Sequence, residues 1–138
     1  MHQSILECEH GMFVTSNDQN NSQLSVVKQR FLVKRGQQLI SLPTSEILYF
    51  YSREKVSFAH TIDNKEFVIP FTIEQISMMV CGDHFFRVSR RHVICHQAIH
   101  RVLVWFNGKL KLEIRAAVPE EVIISRDRVH NFRIWMGE

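Results

Sequence analysis

Two short segments place arginine beside serine at the end of an apolar run. The first, residues 85–94, contains Ser89, Arg90 and Arg91, and the second, residues 124–128, reads Ile-Ser-Arg-Asp-Arg. A guanidinium group offers a planar fork of donors that matches two phosphate oxygens, or the O6 and N7 atoms of guanine. A serine hydroxyl beside it can donate to a phosphate oxygen. Together the two segments predict a surface that recognises DNA.

The second segment opens a predicted helix that ends near Met136. Ser125 is the predicted N-cap, and an apolar stripe follows, made of Val129, Phe132, Trp135 and Met136. Asp127 suits the positive end of the helix dipole, whereas Arg126 and Arg128 do not. Because free N–H groups at a helix N-terminus usually bind anions, two cations at this place are a hint of function.

Short strands are predicted to hold these segments. They cover residues 31–34, 38–42, 47–51, 56–62, 66–69, 102–106, 109–114 and 121–124, and the two arginine segments have strand-like apolar runs of their own. The continuous apolar run at 47–51 predicts a strand with much of both faces covered. Turn residues at 35–37, 63–65 and 107–108 predict hairpins, and Asn107-Gly108 is the strongest of these patterns. A capping box at Thr72 and Gln75 predicts one further helix, which ends at Cys81-Gly82.

The charge distribution favours an anionic partner in the second half of the chain. The 138 residues carry 17 Lys and Arg against 14 Asp and Glu, so the net charge is only +3. Residues 83–115 hold seven basic and two acidic side chains, which is +5, whereas residues 1–26 hold three acidic ones and no basic ones. Positive charge is thus concentrated around the first arginine segment.

The length allows one domain of ordinary core size. A polar stretch at residues 16–23 predicts that residues 1–26 are an arm or linker and that residues 27–138 are the folded domain. No apolar run long enough to span a bilayer occurs, and no secretory signal pattern is present. Three widely spaced cysteines argue against a disulfide framework, and we therefore expect a cytoplasmic protein.

The chain resembles the LytTR domain, a mostly β DNA-binding domain found at the C-terminus of many bacterial response regulators. The resemblance covers roughly residues 27–136 and rests on three motifs: Glu46-Ile47-Leu48-Tyr49-Phe50, the run from Phe85 to Arg90 with Val93-Ile94 behind it, and Ile124-Ser125-Arg126. It implies a fold of the mainly β (α+β) class, with about ten short strands in small antiparallel sheets and two short helices. It also implies transcription control through loops and a helix start that enter successive major grooves.

The resemblance assigns roles to individual residues. Lys55 and Val56 match the first DNA-reading loop, residues 89–91 match the second, and Arg126 matches the third. Members often have His-Arg-Ser where this chain has Ser89-Arg90-Arg91, so a different sequence preference is expected. The full predicted set of DNA-binding residues is Lys55, Ser89, Arg90, Arg91, Lys109, Lys111, Ser125, Arg126 and Arg128. Arg90 and Arg126 are expected to read bases, while Lys55, Arg91, Lys109 and Lys111 are expected to contact phosphates.

Duplex DNA is the predicted partner, with no cofactor and no resident metal. A second copy on DNA, a receiver domain in a longer protein or a membrane-bound inhibitor is compatible with the resemblance. The alternative is a small metal-binding or protein-interaction β domain, because Cys81, His84, His92, Cys95, His96 and His100 lie within twenty residues. An enzyme is not predicted, since no nucleophile elbow, no paired carboxylates in a strand-end context and no Walker loop occur.

Overall fold

The computed structural model describes residues 27–116, 118 and 120–138, and the predicted arm over residues 1–26 lies outside them. Within the described residues the chain forms ten short strands and two α-helices. The strands are β1 (Arg30–Arg35), β2 (Gln38–Pro43), β3 (Ile47–Arg53), β4 (Val56–Thr61), β5 (Glu66–Ile69), β6 (Phe85–Ser89), β7 (His92–Cys95), β8 (Ile99–Val104), β9 (Leu110–Ile114) and β10 (Val122–Ile124). The helices are α1 (Ile73–Met79) and α2 (Arg126–Met136).

The strands form three small antiparallel sheets. β1 pairs with β2, a five-stranded sheet has the order β5-β4-β3-β7-β6, and a three-stranded sheet has the order β10-β9-β8. The predicted mainly β architecture with two short helices is therefore confirmed.

The central strand β3 is covered on both faces. Residues 47–51 are all buried, as their continuous apolar run predicted. On one face the ring of Phe50 lies 5.5 Å from the ring of Phe31 in β1, and on the other Tyr49 stacks on His60 at 5.1 Å. β3 is thus a rigid support for the turn that follows it, which contains Lys55.

Helix α1 begins at the predicted capping box. The Gln75 N–H donates to the Thr72 hydroxyl at 3.1 Å, and the Thr72 N–H donates to the Gln75 side-chain oxygen at 2.9 Å. Ile73 and Ile76 are buried against the five-stranded sheet. The C-cap is Val80, slightly before the predicted end at Cys81-Gly82.

Helix α2 packs on strand β6 through its aromatic residues. Phe132 is buried and meets the edge of Phe86 at 5.5 Å between ring centroids. The Trp135 ring lies 5.3 Å from the Phe86 ring, and its indole N–H donates to the Gly82 carbonyl at 2.7 Å. The predicted apolar stripe therefore docks this helix and fixes where its N-terminus lies.

The β8–β9 hairpin differs from the sequence prediction. β8 begins at Ile99 and ends at Val104, so the predicted strand over residues 102–106 is displaced toward the N-terminus. Residues 106–108 form a single 3₁₀ turn in which Asn107 and Gly108 have positive φ angles of 61° and 72°. Trp105 and Phe106 thus belong to a wider turn and not to the strand, although the turn is centred on Asn107-Gly108 as predicted.

Cys95 is a buried free thiol, whereas Cys81 is disulfide-bonded, which the odd number and wide spacing of the cysteines did not predict.

In the part of the chain that the structure describes, no helix is both long and apolar enough to cross a bilayer.

Candidate nucleic-acid interface

The turn between β6 and β7 holds the first arginine pair on a braced backbone. Ser89 ends β6, and its hydroxyl accepts the Arg91 N–H at 3.1 Å. The guanidinium of Arg87 donates to the Ser89 carbonyl at 3.2 Å and to the Arg90 carbonyl at 3.3 Å. These bonds order the turn from inside, while the Arg90 side chain is exposed.

The two arginines of this turn have different surroundings. Arg91 donates from Nε to the Ser52 carbonyl at 3.4 Å, and its Nη2 lies 3.0 Å from a Glu120 carboxylate oxygen. Its charge is therefore partly offset within the protein. For Arg90 the described residues provide no acceptor to the guanidinium, so its donors face solvent.

His92 is buried directly behind the turn. Its Nδ1 lies 2.9 Å from the Ser89 hydroxyl, and its Nε2 lies 3.5 Å from Glu120 Oε2. Nε2 makes no hydrogen bond within the described part of the chain. Burial lowers the pKa of His92, an effect that Glu120 opposes and Arg91 reinforces. Burial thus disfavours the protonated imidazole at the base of the turn.

The turn between β3 and β4 lies at the same end of the five-stranded sheet. Glu54 and Lys55 have positive φ angles of 52° and 69°, the pair of left-handed residues that a tight two-residue hairpin needs. The Ser52 N–H donates to the Arg91 carbonyl at 3.1 Å, which links this end of β3 to the β6–β7 turn. Lys55 and Val56 are exposed. The first two predicted DNA-reading loops are therefore neighbours.

The start of α2 is built differently from the prediction. Ser125 occupies the predicted N-cap position, but its hydroxyl donates to the Asp127 carboxylate at 2.6 Å and makes no capping bond to the helix backbone. This bond lowers the pKa of Asp127. Arg126, between them, is exposed.

Arg128 turns back onto the sheet. Its Nη1 donates to the Arg87 carbonyl at 3.4 Å, and the residue is half-buried. Arg87 itself braces the β6–β7 turn, so this contact ties the helix start to that turn. The second and third predicted reading elements are therefore also neighbours.

The two lysines near the β8–β9 turn also differ. Lys111 lies with its Nζ 3.1 Å from Glu121 and 4.7 Å from the centre of the Trp105 ring. Its ammonium group is therefore engaged by the protein. Lys109 is half-exposed, and no side-chain partner for it occurs among the described residues.

Two residues that the sequence analysis missed organise this edge, Arg87 and Glu120. Arg87 lies in the first arginine segment, two residues before Ser89, so its position was a usable signal. Glu120 lies 29 residues from Arg91 along the chain, and nothing local indicated their pairing.

The metal-binding alternative receives no geometric support. Cys81, His84, Cys95 and His96 line one cleft of about 390 Å³, whereas His92 is buried behind the β6–β7 turn. Throughout residues 27–138, as far as they are described, no three His, Cys, Asp or Glu side chains are grouped so that they could hold a metal ion.

Comparison with known proteins concerns the family and the fold. The family model of the LytTr DNA-binding domain matches residues 37–137. The fold is similar to the LytTr DNA-binding domain of a Bacillus cereus protein described as a methyl-accepting/DNA response regulator, with a TM-score of 0.69 and 17% identity over 80% of this chain and 99% of that one. Among curated proteins none matches.

Proposed function

This chain belongs to the LytTr DNA-binding domain family, and from that premise we propose that it binds specific duplex DNA sequences in the control of transcription. The β3–β4 turn, the β6–β7 turn and the start of α2 are proposed to meet the DNA together and to read the major groove. In this proposal the protein acts in the bacterial cytoplasm, where the genome is.

The observation that carries the proposal is the contrast between paired and unpaired cations along one edge. Arg91, Lys111 and Arg128 donate to acceptors in the protein. Lys55, Arg90, Lys109 and Arg126 have no acceptor for their side-chain N–H groups among the described residues, although they lie on ordered turns or at a helix start. Donors that a rigid scaffold presents to solvent suit an anionic ligand that supplies the acceptors.

Within this edge, we assign base reading to Arg90 and Arg126. Both extend from backbone that hydrogen bonds or helix packing hold in place, which bidentate recognition of a guanine edge requires. Lys55 and Lys109 are assigned to phosphates, because an ammonium group on a flexible stem acts as a point charge. Arg91, Lys111 and Arg128 are assigned chiefly to holding the reading elements in position.

The two serines are given supporting roles. Ser89 accepts the Arg91 N–H and contacts His92, and Ser125 donates to Asp127. The Ser89 hydroxyl thereby shapes the backbone from which Arg91 extends, and Ser125 can turn its donor toward a phosphate when DNA binds.

Selection of bound fragments from a pool of random duplexes tests the proposal. An enriched motif is the expected result, and its affinity should exceed that for scrambled duplex at one fixed salt concentration. Retention without any enriched motif would contradict sequence-specific reading. Binding of a second copy to an adjacent half-site would appear as a motif repeated at a helical-turn spacing. Binding of a receiver domain or a membrane-bound inhibitor must be tested by separate interaction assays.

A further inference from the structure

The β8–β9 turn lies against the side chain of Arg126. β10 pairs with β9 so that Ile124 is opposite Leu110. The pairing ends there, so the start of α2, two residues after Ile124, lies beside the turn that precedes Leu110. A Cβ atom built on Gly108 would lie 2.8 Å from Cδ and 3.1 Å from Cγ of Arg126. The aliphatic stem of the arginine therefore occupies the space that any side chain at residue 108 would need.

The turn beneath this stem has a defined shape. Asn107 and Gly108 are both left-handed, with φ angles of 61° and 72°. The Trp105 N–H donates to the Lys109 carbonyl at 2.9 Å and closes the turn. The contact between Lys111 and Glu121 then joins β9 to the residues that lead into β10. The backbone of Gly108 is thus a fixed surface on which the arginine lies.

We propose that Gly108 is a positioning residue for Arg126 and that the bare backbone of this turn sets the DNA specificity of the α2 start. The inference rests on the proposed base-reading role of Arg126. A guanidinium that must match two acceptors on one base tolerates little displacement, because both hydrogen bonds depend on its plane and distance.

A methyl group at residue 108 would displace mainly the side chain of Arg126. The atoms in its way belong to the middle of a long, flexible side chain that can change rotamer, and not to backbone. The turn can therefore stay folded while Arg126 leaves the surface of Gly108. Loss of specificity with retained folding is the signature of a positioning role.

A competing explanation is that glycine is needed only for its positive φ angle. Gly36, in the β1–β2 turn, separates the two explanations. Its φ angle is 61°, and no atom lies within 4 Å of a Cβ built there. Gly36→Ala introduces similar backbone strain without touching any neighbour, so it is a matched control for Gly108→Ala.

The experiment measures the affinity of each variant for the selected duplex and for scrambled duplex at one salt concentration, with thermal unfolding in parallel. Gly108→Ala should reduce the ratio of specific to non-specific affinity by roughly three- to tenfold, a part of the loss expected when a bidentate base contact is removed. Gly36→Ala should leave this ratio unchanged. In an Arg126→Ala background, Gly108→Ala should reduce the ratio no further, because its target is already absent.

A second pair of variants separates the collision with Arg126 from unfolding of the turn caused by backbone strain. Asn tolerates left-handed backbone better than Ala, so Gly108→Asn keeps the collision with Arg126 and relieves the strain, and Gly36→Asn is its control. An unchanged ratio in both Gly108 variants, or a loss additive with that of Arg126→Ala, would overturn the inference while Arg126 remained a base reader. If Arg126→Ala itself leaves the ratio unchanged, the assigned base reading fails, and the inference fails with it.

Discussion

The arginine residues along this edge differ in their hydrogen-bond partners. Arg90 and Arg91 are adjacent, yet Arg91 is bonded to Ser52 and Glu120 while Arg90 faces solvent. Arg126 and Arg128 differ in the same way, because only Arg128 reaches the Arg87 carbonyl. A guanidinium already satisfied by the protein gains less from DNA than one whose donors bond only to water.

Arg126→Ala tests base reading directly. The variant should lose about 1–3 kcal/mol of binding free energy on the selected duplex and much less on scrambled duplex, because only a base contact carries sequence information. Arg133→Ala removes the same charge from the same helix at the end where Arg133 pairs with Glu138, and it should leave the ratio of the two affinities unchanged. If both variants show the same ratio of specific to non-specific affinity, Arg126 contacts only phosphate.

Lys109 and Lys111 form a second matched pair. Lys109→Ala should weaken specific and scrambled duplex alike and lower the slope of log affinity against log salt by about one unit. Lys111→Ala should change the slope less, since its ammonium is engaged by Glu121 and Trp105. Titrations over a range of salt concentrations measure both slopes, and a larger change for Lys111 would show that DNA displaces Glu121.

His92 should make the stability of the domain depend on pH. Burial lowers the pKa of its folded form, so the unfolded chain binds protons more readily. The free energy of unfolding should therefore fall as pH drops through about 6.5, the ordinary histidine value. Denaturant unfolding between neutral and mildly acidic pH measures this, and His92→Gln should flatten the dependence while the exposed His100→Gln should not.

At the scale of elements, α2 combines a structural role with the proposed reading role of its first residue. Its middle and C-terminal parts dock on β6 through Phe132 and Trp135, and its first residue is Arg126. The position of this arginine therefore depends on packing more than one helical turn away. A loosened helix would weaken DNA binding even though no DNA contact had been removed.

Phe132→Ala tests this coupling. Truncating a fully buried aromatic residue costs about 3–5 kcal/mol of unfolding free energy, a large share of the stability of a small domain. Trp135→Ala should cost less, because this residue is only half-buried, although it loses the bond to Gly82. Both variants should melt earlier and bind the selected duplex more weakly. Unchanged melting would show that the helix does not contribute to the core.

At the scale of the whole molecule, two of the three small sheets bring separate parts of the chain to one edge. The five-stranded sheet supplies two turns, and the three-stranded sheet supplies β10 and the β8–β9 turn. The net charge of +3 is small, so the local arrangement of cations, and not the total charge, must account for DNA binding.

The salt dependence of the whole domain follows from that arrangement. Each neutralised phosphate releases about 0.9 counterion. If Lys55 and Lys109 are the cations that neutralise phosphates while Arg90 and Arg126 read bases, log affinity should fall against log salt with a slope of about two. A slope of about four to five would mean that Arg91, Lys111 and Arg128 also leave their protein partners for phosphates, and a slope near zero would contradict binding through phosphates.

Several features of this protein were determined by its sequence alone. Three predicted local features are observed: the capping box at Thr72 and Gln75, the hairpin turn at Asn107-Gly108 and the covered strand over residues 47–51. Each depends on residues close together in the chain, through backbone preferences or the spacing of apolar side chains. The three motifs that resemble the LytTR domain are likewise local, and they identified the family.

Only the tertiary structure decided which cations are paired with the protein. Glu120 reaches Arg91 across 29 residues of sequence, and Arg128 reaches the Arg87 carbonyl across 41. Gly108 meets Arg126 because the pairing of β9 with β10 brings the β8–β9 turn beside the start of α2. Sequence rules describe what a residue prefers among its chain neighbours, whereas the partner of a long side chain depends on which distant acceptor the order of strands brings within hydrogen-bonding distance.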